Sequence, residues 1–151
     1  MEEVLSHIKP LAAVVGGIIP FVVGFIWYNP KVFGITWMQA IGKTEEDLSK
    51  GNMILIYGLS FVSCIILAFF LQVTVEIAHW HPGENGGPAT HSHHTFGHGA
   101  FHGLFLGIGF ALPVVLVLGL FAQFNWKYIA INISYWLVCF TLIGGLVDAW
   151  I

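Results

Sequence analysis

The segment from residue 54 to residue 75 reads ILIYGLSFVSCIILAFFLQVTV and contains no charged residue. At about 1.5 Å per residue, a helix of about 20 apolar residues crosses the hydrocarbon layer of a membrane. Inside lipid each backbone N–H and C=O group must find its partner within the protein, and a helix satisfies this requirement by itself. The segment therefore predicts a transmembrane helix.

Three further segments share this character, and none of them has a charged residue in its interior. They are residues 11–28, 100–122 and 128–147. Strand-like alternation of polar and apolar residues is absent from all four. We therefore predict an all-α membrane protein with four transmembrane helices, in a single transmembrane domain that spans residues 1–151.

The overall composition agrees with a membrane protein. Hydrophobic residues make up 57% of the chain and charged residues only 9%, whereas roughly a quarter of a soluble domain is charged. The polar surface is too small to cover a water-soluble globule, so the bilayer is the expected environment. The net charge of −3 and the lack of a basic patch argue against nucleic acid as a partner.

The lysines predict the orientation in the membrane. Four spans place both termini and the loop of residues 76–99 on one side, where Lys9 is the sole lysine or arginine. The other side carries four lysines, namely Lys31, Lys43, Lys50 and Lys127. Because positive residues are retained in the cytoplasm, we expect both termini and the loop to lie outside it.

The connection after the first span carries a helical pattern. Phe33, Trp37 and Ile41 recur every fourth residue, which predicts a short helix lying in the membrane interface. Gly42 is suited to the end of that helix. Thr44, with Asp47 three residues later, resembles the capping pair of a second short helix.

Small residues recur along the third span. Gly99, Gly103, Gly107 and Ala111 are spaced four apart, and such G-x-x-x-G repeats let two helix backbones approach closely in lipid. We expect a tight helix crossing, either within one chain or between the chains of a homo-oligomer.

Several motifs resemble a known family. The run Phe25–Pro30 (FIWYNP) is followed by Phe33-Gly34, Trp37-Met38 and Gly42-Lys43-Thr44, and the last span contains Asn132, Tyr135-Trp136 and Gly144-Gly145. Together they resemble the signature of the family catalogued as domain of unknown function 1761. The resemblance implies a small four-helix membrane protein, mostly bacterial, and hence the bacterial inner membrane. It implies no activity and no catalytic residues.

Histidines are concentrated between the second and third spans. Residues 79–102 read HWHPGENGGPATHSHHTFGHGAFH and hold seven of the chain's eight histidines, with no lysine or arginine. If the second helix continues outward, Gln72, Glu76 and His79 share one of its faces. His98 and His102 are one turn apart on the third span at the same level.

These positions predict a metal site. Glu76, His79, His98 and His102 are candidate ligands of a divalent transition metal such as zinc, copper or iron. His91, His93 and His94 form a weaker candidate set for loose binding. Asp148 ends the fourth span, and His7 precedes the first span, on the same side of the membrane.

The same histidines also predict a response to pH, because imidazole titrates near pH ~6.5. A charged loop would dock beside Glu76 and Glu84, whereas charging His98 against His102 would push the loop open.

We expect a non-enzymatic protein, since the chain lacks the sequence motifs of hydrolases, nucleotide-binding proteins and zinc proteases. The Glu76-x-x-His79 pair is only part of a di-iron template. Apart from the possible metal, no cofactor is expected. Two alternatives to metal binding or pH response stay open. One is a carrier or channel for a small solute that acts as an oligomer, and the other is an accessory or scaffold subunit of a larger membrane complex.

Overall fold

A computed structural model describes residues 7–81, 90–91 and 94–150. Four helices in this part of the chain are long and apolar enough to cross a membrane. They are α1 (Pro10–Trp27), α4 (Met53–His79), a third span made of α5 (Phe96–Leu106), a π-helical segment (Gly107–Ala111) and α6 (Leu112–Phe121), and α7 (Trp126–Ala149). The predicted all-helical architecture of a multi-pass membrane protein is therefore supported.

The connections contain short elements. Between α1 and α4 lie a π-helical turn (Pro30–Gly34), α2 (Ile35–Ile41) and α3 (Glu45–Ser49). Between α4 and α5, β1 (Trp80–His81) pairs in antiparallel fashion with β2 (Thr90–His91), with Trp80 opposite His91. This pairing joins the two ends of the histidine-rich connection.

The second and third helices are longer than predicted on the histidine side. Helix α4 continues to His79, so Glu76 belongs to a helix and not to the loop. Helix α5 begins at Phe96 because the Thr95 side-chain oxygen accepts a hydrogen bond from the His98 N–H at 3.2 Å. The predicted loop of residues 76–99 is therefore reduced to the connection between residues 79 and 96.

The core lies between α1, α4 and α7. Its buried apolar side chains are Ala13, Ala68, Leu71, Val75, Phe140, Ile143 and Val147. The third span packs against a neighbouring face of α7, along Phe140, Gly144 and Asp148. Helix α7 thus touches each of the other three spans, and it is the least exposed of the four.

The glycine repeat of the third span forms the contact with α7. A Cβ atom at Gly103 would overlap the Phe140 carbonyl oxygen, and one at Gly99 would overlap Asp148 and Gly144. The predicted tight crossing is therefore present within one chain. The π-helical segment ends just before Pro113, where the missing proline N–H interrupts the regular hydrogen-bond pattern of the helix.

Two predicted features of the first connection are present, namely the helix end at Gly42 and the capping pair of Thr44 and Asp47. Gly42 ends α2 with a left-handed φ of 65°. Thr44 and Asp47 form a reciprocal capping box at α3, and the hydrogen bond from the Thr44 hydroxyl lowers the pKa of Asp47. The Phe33 ring lies 5.2 Å from the Trp27 ring, as Trp37 does from Tyr28. The location of α2 in the membrane interface stays a prediction.

A Gly103→Ala substitution tests the α5–α7 crossing. The added methyl group would force the two backbones apart, and we expect a loss of about 1–3 kcal/mol, as for other overpacked contacts. The measurement is the free energy of unfolding in detergent micelles.

Gly97→Ala, in the same helix, is the matched control, because no atom lies within 4 Å of a Cβ built there. The control should keep or slightly raise stability, since alanine favours helix by about 1 kcal/mol over glycine. Equal stability of the two variants would contradict the crossing.

Candidate functional site: a histidine–carboxylate cluster

Buried polar side chains gather at the histidine end of the bundle. In the described ranges, Gln72, Glu76 and Asp148 are 0% exposed. Glu76 follows the core residue Val75 near the end of α4, and Asp148 follows the core residue Val147 near the end of α7. Two carboxylates therefore lie at the same level of the bundle, where apolar packing excludes water.

Asp148 contacts the segment that leads into α5. Its Oδ1 lies 2.9 Å from His94 Nδ1, and its Oδ2 accepts a hydrogen bond from the Thr95 backbone N–H at 3.3 Å. Thr95 is the N-cap of α5, so the carboxylate faces the positive end of that helix, which favours its negative charge. A protonated His94 would add a charge-assisted hydrogen bond.

Glu76 contacts the segment that leads into α1. His7 Nδ1 lies 3.8 Å from its Oε1. One turn earlier on α4, the Gln72 side-chain nitrogen donates a hydrogen bond to the Lys9 carbonyl oxygen at 3.2 Å. The Gln72 side-chain oxygen accepts one from the Lys9 backbone N–H, also at 3.2 Å. Lys9 is the N-cap of α1. This polar contact joins the end of α4 to the start of α1.

Two further histidines lie on α5 beside this region. The rings of His98 and His102 are 4.7 Å apart between centroids and nearly perpendicular. His102 is also within electrostatic range of Asp148. We call His7, Glu76, His94, His98, His102 and Asp148 the histidine–carboxylate cluster.

The predicted metal ligands are only partly covered by the structure. Glu76 is buried in α4, and His98 and His102 are neighbours on α5, at the same end of the bundle. His79 is the last residue of α4 and His91 lies in β2, but their side chains are outside the description, as is all of His93. His94 pairs with Asp148. Among the described residues no three His, Cys, Asp or Glu side chains are arranged to hold a metal ion.

The sequence predicts that Asp148 and His7 lie at the histidine end of the bundle, as they do in the structure, but its motifs indicate no role for either residue. Their positions do indicate a role, since both are ionisable residues at the ends of apolar spans, where such residues are rare and usually paired. The pairing depends on which helix ends meet, and this information lies in the packing of α1 on α4 and of α5 on α7.

Comparison with known proteins gives one match. Residues 11–147 match the family described as "Protein of unknown function (DUF1761)". The chain belongs to this family. No curated protein and no solved structure matches it. Membership in DUF1761 confirms the resemblance seen in the aromatic and glycine motifs, and the matched range contains nearly all of the four spans.

Asp148→Asn tests the buried pair. The amide keeps the shape of the side chain but removes the charge that faces His94 and the start of α5. Because breaking a buried ion pair costs on the order of 3 kcal/mol, we expect a clear fall in unfolding free energy at about pH 5.5, where imidazole carries its charge. Thermal or denaturant unfolding in micelles provides the measurement.

Glu46→Gln is the control for loss of one negative charge, since the Glu46 side chain is 84% exposed. Its stability should stay close to that of the wild type, as for most surface ion pairs. If both variants lose the same stability, the contact with His94 makes no specific contribution.

Proposed function

We propose that this DUF1761 protein is a non-enzymatic membrane module that responds to pH through its histidine–carboxylate cluster. The observation that carries the proposal is the burial of Glu76 and Asp148, each beside a histidine that precedes a membrane-spanning helix. The buried carboxylates are the fixed partners, and the histidines are the groups whose charge changes near neutral pH.

The physical basis is the cost of burying a charge. An ionised carboxylate without water needs a positive partner, or it must take up a proton itself. Histidine is the side chain whose charge changes nearest to physiological pH, so a fully charged pair is favoured on the acidic side of that range. As the pH rises, the imidazole loses its charge and the attraction between helix end and loop weakens.

The parts that would move are the chain segments that carry the histidines. His94 and Thr95 connect the histidine-rich connection to α5, and both contact Asp148. His7 lies three residues before α1. Protonation would hold both segments against the bundle, and loss of the proton would release them. We propose docking at Asp148 in addition. Docking of the loop beside Glu76 and Glu84 stays a prediction, and Glu84 lies outside the described residues.

A nitroxide spin label at Gly97→Cys would report this movement, because Gly97 is exposed and has open space around it. Cys64 and Cys139 would be replaced by alanine. In nanodiscs, the label should be less mobile at about pH 5.5 than at about pH 8, since a charged His94 holds the start of α5.

The same label in an Asp148→Asn background is the control, and its mobility should change little over this range. An unchanged spectrum in the labelled parent protein would refute the proposed pH response.

Transition-metal binding is a second candidate function. The adjacent rings of His98 and His102 support it. The His94 contact also supports it, since histidines that bind metal commonly place their other ring nitrogen on a carboxylate. Zinc, copper or iron would suit such ligands, with His79, His91 or His93 available to complete the set.

Elemental analysis of protein purified without a histidine tag would test metal binding. We expect about one metal ion per chain, and its loss from a His98→Ala/His102→Ala variant. His7→Ala is the matched control and should retain the metal. Metal-free wild-type protein, or metal retained in the double variant, would exclude this site.

The other expectations from the sequence stay predictions. They are the bacterial inner membrane, both termini outside the cytoplasm, a homo-oligomer or larger complex, and the alternative roles of solute carrier or scaffold subunit.

A further inference from the structure

We propose that a cavity between α1, α4 and α7 binds a lipid-soluble quinone, an uncharged ring compound that carries carbonyl oxygens. The cavity lies at the end of the bundle opposite the histidine–carboxylate cluster and takes no part in the proposed function. Its volume is about 660 Å³, within the range of about 300–1,000 Å³ that is usual for ligand cavities.

The cavity lies beyond a point of close backbone contact between α1 and α4. A Cβ atom built on Gly17 would be 3.0 Å from the backbone nitrogen of Ile65. One turn further along α1, the rings of Phe21 and Tyr57 lie between the two helices, with centroids 6.3 Å apart. Phe25, which also lines the cavity, is 80% exposed. The cavity therefore opens to the outside of the bundle, where a molecule dissolved in the surrounding lipid can enter it.

The wall of the cavity indicates an uncharged, planar ligand. None of the described residues that line it is charged or carries an imidazole, so the wall offers no partner to an ion. Aromatic rings form much of the wall, and such rings pack well on other rings in offset or edge-to-face arrangements. The aromatic residues of the wall are Phe21, Phe25, Tyr28, Tyr57, Tyr135 and Trp136.

One serine in the cavity wall differs from the other hydroxyl-bearing residues of the spans. Four of the five serine and threonine residues in the spanning helices donate to a carbonyl oxygen one turn earlier in the same helix, as such residues do in membrane helices. They are Ser63, Thr74, Ser134 and Thr141. Ser60 lines the cavity, and its hydroxyl makes no hydrogen bond within the described part of the chain. A hydroxyl without a partner in an apolar environment is costly, so Ser60 is available to a ligand.

The free donors of the cavity lie together on α4. Tyr57 is three residues before Ser60 and therefore on the same face of the helix, and its hydroxyl likewise makes no hydrogen bond to another described residue. The other two tyrosine hydroxyls of the wall are engaged. Tyr135 donates to a backbone carbonyl oxygen of α1 at 2.8 Å, and Tyr28 donates to Asn132 Oδ1 at 3.0 Å. A ligand must therefore bring hydrogen-bond acceptors to the α4 side of the cavity and an apolar ring to the opposite wall.

A quinone combines these properties. Its carbonyl oxygens accept hydrogen bonds without carrying a charge, its ring is planar, and its apolar tail can remain in the lipid at the opening. The acyl chain of a phospholipid would suit the apolar wall, but it has no acceptor along its length and would leave both donors on α4 unsatisfied. The free donors therefore favour the quinone over a lipid chain.

Binding of decyl-benzoquinone to the whole protein in detergent micelles tests this site. It would be measured as saturable quenching of tryptophan fluorescence, to which Trp136 in the cavity wall contributes. We expect Ser60→Ala to weaken binding about 3- to 10-fold, the loss of one neutral hydrogen bond. Ser63→Ala is the matched control, because Ser63 lines the same cavity but its hydroxyl donates to the Leu59 carbonyl oxygen. Its affinity should stay within about twofold of the wild type.

A Ser60→Phe substitution would fill the cavity from an exposed position and should abolish saturable quenching. Circular dichroism would verify its helix content, and if it does not fold, the comparison of Ser60→Ala with Ser63→Ala decides alone. Decylbenzene has the same tail without carbonyl oxygens and should not compete with the quinone. Equal affinities of the two alanine variants, or full competition by decylbenzene, would overturn recognition of the carbonyl groups and leave a site for lipid chains. Absence of saturable quenching in the wild type, or its persistence in folded Ser60→Phe, would overturn the site itself.

Discussion

A carboxylate removed from water is stable only beside a positive charge, an oriented dipole or its own proton. Glu76 and Asp148 are fully buried at one end of an apolar bundle. The residues that contact them must therefore compensate their charge. Each lies near the C-terminal end of its own helix, where the helix dipole disfavours a negative charge. The compensation comes from the segments that begin the neighbouring helices.

Apolar packing brings these compensating groups into position. In lipid, helices associate through close backbone contact rather than through the hydrophobic effect. Gly99 and Gly103 let α5 approach α7 until its N-terminal residues reach Asp148, and Gly17 lets α1 approach the α4 backbone at Ile65. The small residues on the helix faces therefore control the titratable residues at the helix ends, because the distance between two helix backbones sets the distance between histidine and carboxylate.

This arrangement links the cluster to the rest of the molecule. Helix α7 contacts all three other spans, and Val147 belongs to the core while the adjacent Asp148 belongs to the cluster. A change in the charge of His94, which contacts Asp148, would therefore act on the helix at the centre of the bundle.

Much of the fold could be predicted from the sequence because lipid imposes strict local rules. Long uncharged segments must be helices, so four spans were predicted within a few residues, and Gly42 and the Thr44–Asp47 pair marked short helices by local chemistry. The glycine spacing predicted a tight crossing but left its partner open. The four-residue spacing of the glycines identifies one face of the third span, but it does not show which other helix packs against that face.

The candidate site likewise has one part that could be predicted from the sequence and another that could not. Span length and hydrophobicity fix the positions of the helix ends, so the gathering of titratable residues at one end of four apolar helices could be predicted from the sequence. The contacts of His94 with Asp148 and of His7 with Glu76 follow from the packing of the helices. The partners are 54 and 69 residues apart in the chain, and their contact depends on the distance between helix axes, which is set by the packing of small side chains along the whole length of each helix pair.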